Sequence, residues 1–540
     1  MKRRDLLRAA LGAPLALACE PRAPGVPDGE LLDPGMALGH RLRDEQQPAP
    51  GEPVEHVDVV IVGAGVAGLA CARELRRLGI EDVRIVEIAD AIGGTARGGS
   101  SPVTPFPWGA HYITAPMREN VDLVELLREA GALEGGADDA GDPLAREGVS
   151  CRAPEERVFF RGRFYDGLYL AEGATADDLA QLERFKAELA RYAALVDARG
   201  RRAFAIPRAH ASDDAELLAL DKRSFGDWLT ERGLISWRLR WLCDYACRDD
   251  YGLHLDDTSA WAGLFYFCAR RRSGTADERP VMTWPDGNAF LVRHLASAVD
   301  VGRVALEGAA VNVVPVGDAV NTVAVDVVVR DRVGSVRTVR ARSVVVAAPR
   351  FVASRIVQPL REAHGGAPAW LSAFTASPWV VCNIHLRERP RSRGAPFSWD
   401  TVLVESKSLG YVTATHQRGA DVGPTVLTWY LPLVDDAPNA AREKLLALGR
   451  ADWAEAALSE LAIAHQGFRS LVTRVDVCRW GHAMIRPVPG LFSSGALAAA
   501  QTPVGRVHFA HTDLSGLALF EEAFFHGIRA AREVAASRLR

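Results

Sequence analysis

Residues 57–97 read VDVVIVGAGVAGLACARELRRLGIEDVRIVEIADAIGGTAR, and the fold of the chain follows from how this stretch is read. Val57, Val59, Val60, Ile61 and Val62 make a short β-branched apolar run, the pattern of a strand buried on both faces. Gly63, Gly65 and Gly68 then give G-x-G-x-x-G. The first glycine permits a tight turn, the second lets backbone approach a pyrophosphate, and the third lets a helix lie close on the strand. Leu69, Ala72, Leu75 and Arg76 follow at helical spacing, which sets a phosphate at a helix N-terminus among free N–H groups. A second strand over 83–88 ends near Glu87, whose carboxylate is placed for ribose hydroxyls. A bare glycine motif says little; strand, turn, helix, strand and acid in order predict a Rossmann-like dinucleotide site. This unit alone leaves NAD and FAD both open.

Outward from that stretch, 540 residues are too many for one core and imply two domains. Apolar content of 48% and charged content of 24% are those of an ordinary globular protein. A net charge of -4 gives no reason to expect nucleic acid as a partner. At the N-terminus, Lys2-Arg3-Arg4-Asp5-Leu6-Leu7-Arg8 looks like a twin-arginine export motif, and residues 9–18 form an apolar stretch too short to span a bilayer. Ala16-Leu17-Ala18-Cys19 is an imperfect lipobox that would allow a lipid anchor on Cys19. The expected location is therefore periplasmic or as a membrane-anchored lipoprotein, with the twin-arginine export machinery as a partner. Residues 20–56, rich in Pro, Gly and charge, read as a linker. Seven further cysteines show no C-x-x-C pair and the histidines no metal spacing, so no metal is expected.

Gly93-Gly94-Thr95-Ala96-Arg97 followed by Trp108-Gly109-Ala110-His111-Tyr112 resembles the flavin amine oxidase superfamily, which holds monoamine and polyamine oxidases, protoporphyrinogen oxidase and carotenoid desaturases. The resemblance implies FAD, with Gly93, Gly94, Gly109 and Ala110 beside it. Thr95 stands where the family carries an arginine, which leaves Arg97 to serve the pyrophosphate. Residues 282–291 resemble the family's P-x-G-G segment, with Asn288 in place of the second glycine. Strand-like runs at 304–316, 320–330 and 335–346 match its β-meander, in which Val311 would meet the adenine through backbone. Arg479-Trp480-Gly481-His482 and Pro489-Gly490-Leu491-Phe492 resemble its W…P-G-aromatic segment, so Trp480 joins the cofactor set. Residues 507–513 resemble a strand ending F-A-G-x-E, which sets Asp513 at the ribityl or phosphate region. Phe520 and Glu521 open a helix whose N-terminal N–H groups would face the flavin pyrimidine oxygens.

These pieces imply an α/β fold: a Rossmann-like FAD-binding domain (57–118, 279–350, 475–540) interleaved with an α+β substrate domain (119–278, mostly helical; 351–474, sheet plus helix). The implied activity is hydride transfer from a substrate C–H, an amine first of all, to flavin N5, with reoxidation by O2 or another acceptor. A desaturase of an apolar, isoprenoid-like substrate and a flavin-binding partner without turnover are the alternatives. Three departures qualify the resemblance. Leu491 replaces the cysteine that carries covalent flavin in monoamine oxidases, which implies non-covalent FAD. Phe492 holds one position of the aromatic pair that flanks a substrate amine, but Leu519 holds the other. The strand over 378–386 lacks the family's lysine, and His385 with Asn383 on one alternating face are the candidate replacements near N5. His111 and His511, in flavin-adjacent motifs, are the remaining catalytic candidates as proton shuttles.

Overall fold

Two sheets share the chain, which crosses between them several times. The computed structural model describes residues 25–139, 141–272, 278–317, 322–419 and 421–538, so the export motif, the lipobox and Cys19 lie outside the described residues. β1 (Pro53–Val62), α1 (Val66–Arg77) and β2 (Val83–Val86) form the βαβ unit, with β1 and β2 parallel. β3 (Tyr112–Thr114) leads away from it, β4 (Glu156–Phe160) enters the second sheet, and α2 (Ala176–Ala194), α3 (Trp237–Tyr251) and α4 (Ala260–Cys268) build a helical layer. β5 (Val281–Thr283) brings the chain back beside β3, matching Thr283 with Tyr112. β6 (Gly308–Val316), β7 (Ala324–Asp331) and β8 (Val336–Val346) follow as an antiparallel meander. The last turns of β8 lie parallel to β1, Val344–Val346 against Val60–Val62, which extends the Rossmann sheet.

β9 (Ala376–Leu386), β10 (Asp400–Leu403), β11 (Tyr411–Thr413), β12 (Thr425–Pro432) and β13 (Val472–Ile485) complete the second sheet in the order β13-β9-β12-β11-β10-β4. β14 (Val507–Phe509) then adds to β8 in parallel, and α5 (Phe520–Arg538) packs along α1. Gly527 makes that packing close: a Cβ there would sit 2.3 Å from the Ala67 carbonyl oxygen. The helical layer has its own core, with Trp228 and Trp261 fully buried among Phe185, Phe225 and Phe265. Trp237, by contrast, is exposed. Among the described residues, no helix is long and apolar enough to cross a membrane.

Two domain expectations need correction. From residue 25 onward the supposed linker is docked. Leu31–Leu32 adds a strand beside Val477–Cys478 of β13, and the helix Met36–Asp44 buries Leu38 and Leu42 against the Rossmann sheet. Leu38 and Leu42 are one helical turn apart, a two-residue apolar stripe too short to show against the Pro- and Gly-rich background. Within the mostly helical segment 119–278, β4 and Arg163–Asp166 form one edge of the second sheet. The boundary at 474/475 falls inside β13, so Arg479 and Trp480 belong to the second sheet rather than to the cofactor domain. The expected strand over 320–330 begins outside the described residues; within them it runs as β7.

Candidate functional site

The turn after β1 has the shape its glycines predict. Gly63 has φ 104°, and a Cβ on it would meet the Ala347 carbonyl oxygen at 2.4 Å. A Cβ on Gly68 would lie 1.9 Å from the Gly63 carbonyl oxygen, so only glycine lets α1 close onto its own turn. Gly65 bridges to Gly93, and the Gly93 N–H donates to the Ala64 carbonyl at 2.8 Å. Two glycine turns, 63–68 and 93–94, thus stand edge to edge at the N-terminus of α1 with no Cβ between them. That cradle suits a pyrophosphate. Arg97 closes one side of it, buried, paired with Asp90 at 2.8 Å and with its Nε unpartnered. Thr95 is exposed.

Glu87 is 6% exposed at the end of β2. One carboxylate oxygen accepts the Ala64 N–H at 2.6 Å and the other the Ala89 N–H at 2.8 Å. Burial pushes its carboxyl up, against these N–H groups and the Arg97 charge. A carboxylate has about four lone-pair sites, so two remain for hydroxyl donors. In β6 the ladder slips between Ala310 and Asn312, which leaves Val311 as the extra residue of a bulge with no partner in β7. Its backbone is thereby released from pairing. A Cβ-free cradle, a buried acid with open lone pairs, an unpartnered guanidinium nitrogen and a released backbone together fit the ADP half of FAD.

The segment 108–112 is held from several sides. A Cβ on Gly109 would meet the Thr95 carbonyl oxygen at 2.2 Å, and the Ala110 N–H donates to that same carbonyl at 3.0 Å. Asn288 donates from Nδ2 to the Tyr112 carbonyl at 3.0 Å, so the residue in place of the second glycine braces this segment with its side chain. Trp480 donates its indole N–H to the Trp108 carbonyl at 2.7 Å. It thereby braces the segment that carries Gly109 and Ala110. The Asp513 carboxylate accepts the Arg350 N–H at 2.7 Å, and His511 Nδ1 lies 3.1 Å from both the Asp513 N–H and its carboxylate. Phe520 and Glu521 begin α5, both buried, and burial pushes the Glu521 carboxyl up.

Two catalytic expectations do not hold in the structure. His385 does not stand free at the flavin face: its Nε2 meets Asp476 at 2.9 Å and its ring packs edge-on against Phe106. Asn383 on the same face is likewise engaged, donating to the Pro107 carbonyl and accepting from Thr428. Phe492 is a core residue of the helical layer, 4.5 Å from Trp261 between ring centroids and beneath the Arg208 guanidinium. Lys407 is exposed and pairs with Asp435. His111 differs from these. Its ring lies 4.8 Å from Tyr430, its Nδ1 has no partner, and burial lowers its pKa to about 4, so it stays a neutral imidazole at neutral pH.

Beyond His111 and Tyr112 lies a set of residues that no sequence motif marked. Tyr112, Glu156, Asp249, Tyr266 and Arg270 keep accessible surface although each lies deep in the protein, and so front an internal hollow. Arg270 pairs with Asp250 at 2.6 Å and lies over the rings of Tyr266 and Tyr112. Tyr245 donates its O–H to Asp400 at 2.9 Å. Burial raises the Asp400 carboxyl to about 7, and burial with neighbouring carboxylates raises Glu156 and Asp249 well above the usual range. Asp197 and the exposed Asp213 and Asp214 also lie together, but Asp197 and Asp213 pair with Arg199 and Arg201.

Comparison with known proteins agrees with this geometry. A family model described as "Flavin containing amine oxidoreductase" matches residues 66–535. The "Putative flavin-containing monoamine oxidase AofH" of Mycobacterium tuberculosis is 49% identical over 57 residues, 11% of this chain and 12% of that protein, so the likeness spans about an eighth of its length. A solved putrescine oxidase variant superimposes with a TM-score of 0.65 at 18% identity, covering 89% of this chain and 99% of that one. Cyclohexylamine oxidase from Brevibacterium oxydans gives 0.61 at 20% identity, covering 90% and 100%. At such identities these two structures speak for the fold.

Proposed function

The chain belongs to the family of flavin containing amine oxidoreductases, an FAD-dependent oxidoreductase by that membership, and we propose that its substrate is an amine dehydrogenated within the hollow beyond Tyr112. One observation carries the amine: four carboxylates, Glu156, Asp249, Asp250 and Asp400, gather there, and Arg270 is the one arginine paired with any of them among the described residues. Such a site disfavours an apolar polyene, whose burial would leave those carboxyls desolvated and unpaired. It favours a cation, which the rings of Tyr112, Tyr266 and Tyr430 also attract through their faces. The amine names of the putrescine and cyclohexylamine oxidases point the same way.

When bound, FAD supplies hydride acceptance from the substrate C–H, with O2 or another acceptor taking the electrons afterwards. The chain's own residues do the rest. The glycine cradle, Glu87 and Arg97 hold the ADP half, and Asn288, Thr283 and Trp480 fix the 108–112 backbone that faces the hollow. His111, held neutral, offers an unpartnered Nδ1 that can accept an ammonium N–H. The wall of aromatic rings excludes water from the reacting carbon.

Anaerobic titration of the purified yellow protein with amines, polyamines, amino acids and apolar polyenes tests the substrate class. Bleaching by an amine, reversed by air, is the expected result. Bleaching by polyenes alone would transfer the protein to the desaturases, and reduction by dithionite alone would make it a flavin-binding protein without turnover. Acid precipitation should release the colour into the supernatant, because Leu491 offers no thiol for attachment. Colour retained in the pellet would overturn non-covalent binding.

A further inference from the structure

We infer that Glu156, Asp249 and Asp400 form a second cation subsite in the hollow, so that the substrate is an aliphatic di- or polyamine whose non-reacting ammonium rests among these three carboxylates. The inference rests on the amine reading above and adds to it the number and place of the substrate's charges.

Glu156 and Asp400 are paired residues on adjacent parallel strands, β4 and β10. Their side chains therefore leave the same face of the sheet side by side, where like charges repel. Tyr245 and Asp249 are four residues apart on α3, hence on one face of that helix. Since Tyr245 reaches Asp400 with its hydroxyl, Asp249 on the next turn is carried toward the same carboxylates. Three acids from three elements thus converge.

Asp250 supplies the contrast. It is the next residue in the chain, and it is matched by Arg270 and approached by the Tyr112 hydroxyl. Among the described residues, Glu156 and Asp249 have neither an ion pair nor a hydrogen-bond partner, and one oxygen of the 5% exposed Asp400 has none either. A second, independent sign is Tyr430. It is 3% exposed and is coupled electrostatically to both Asp400 and Asp249, yet its hydroxyl has no partner among the described residues. A buried phenol, the open oxygen of buried Asp400 and the half-buried, unpartnered carboxylates of Glu156 and Asp249 match a group that brings several N–H donors and a positive charge. A primary or secondary ammonium is that group. Tyr430 also touches His111, so one end of the hollow reaches the flavin-facing segment and the other the acids. Burial raises all three carboxyls, and neighbouring carboxylates add to it at Glu156 and Asp249, as expected of a subsite whose counter-ion arrives with the substrate.

The test uses the flavin-loaded protein and two matched series, α,ω-diamines and n-alkyl monoamines of three to six carbons, with spermidine added. Anaerobic flavin reduction should saturate about ten- to a hundredfold lower for a diamine than for the monoamine of equal length, as one or two charge-assisted hydrogen bonds imply. Glu156→Gln and Asp249→Asn should each shrink that ratio by about tenfold, acting on the half-saturation concentration more than on the limiting rate. Equal saturation by both series in the unaltered protein would overturn the subsite while leaving an amine oxidase. If no amine reduces the flavin, the amine reading itself fails. The subsite then stands only if hexane-1,6-bis(trimethylammonium), a dication without an oxidisable N–H, perturbs the flavin spectrum and the Glu156→Gln protein does not respond.

Discussion

Glu87→Gln is expected to weaken FAD binding by about a hundredfold, the equivalent of roughly 3 kcal/mol. In the unaltered chain both carboxylate oxygens accept main-chain N–H groups, from Ala64 on one side and Ala89 on the other, while their remaining lone pairs face outward. A glutamine has one acceptor oxygen. Whichever way its amide turns, an NH2 group is set against a backbone N–H, and one donor in a buried site loses its partner. The ribose hydroxyls lose a charged acceptor at the same time. Dialysis followed by absorbance at the flavin band, or calorimetric titration of the flavin-free protein, measures the effect. Retention of FAD at the unaltered affinity would disprove the ribose assignment of Glu87.

Asp400→Asn is expected to stabilise the protein at pH 8 while impairing diamine oxidation. The Asp400 carboxyl titrates near 7 in the folded chain against an ordinary value of 3.8, because burial disfavours its charge. The folded state therefore holds this proton more tightly than the unfolded one. The resulting contribution to stability is complete below about pH 4 and is lost as pH rises to 7, a change on the order of 4 kcal/mol. An asparagine is neutral throughout. Its carbonyl can still accept the Tyr245 O–H, and its NH2 can donate toward Glu156 on the paired strand. Melting of the two proteins at pH 8 and pH 4.5 should show a gain confined largely to the higher pH. A loss of stability at pH 8 would show that the carboxylate is compensated within the chain, and would remove the reason to seek its partner in the substrate. The pair of outcomes, more stable and less active, is the usual consequence of neutralising a strained functional group.

The cofactor half of the site was legible because it is local. Gly63, Gly65, Gly68 and Glu87 lie within one βαβ unit, where turn geometry and helix spacing follow from adjacent residues. Resemblance then carried the reading outward along the chain to Asn288, Trp480 and Asp513. The substrate half was not legible, because its members meet only through sheet register. Glu156 pairs with Asp400 across β4 and β10, and nothing near either residue announces the other. His385 illustrates the same limit from the opposite side. Alternation along β9 told which face it takes, but not that Asp476, 91 residues later, would occupy it. Phe492 was misplaced because the turn at Pro489-Gly490 redirects the chain into the helical core, and spacing alone does not tell which layer follows a turn. The docked segment from residue 25 escaped notice because two leucines make too weak a stripe to outweigh its prolines.

That segment has a mechanical consequence. Leu31–Leu32 is stitched to β13, Asp33 grips Arg479 at 2.6 Å, and the helix Met36–Asp44 is seated on the Rossmann sheet, all within fifteen residues or so of chain (an extended reach of about 50 Å at most). One short strap thus fastens both sheets from the outside, and any rocking of one against the other pulls it taut. The strap thereby resists any parting of the two halves, and the freedom that remains lies in the loops between strands.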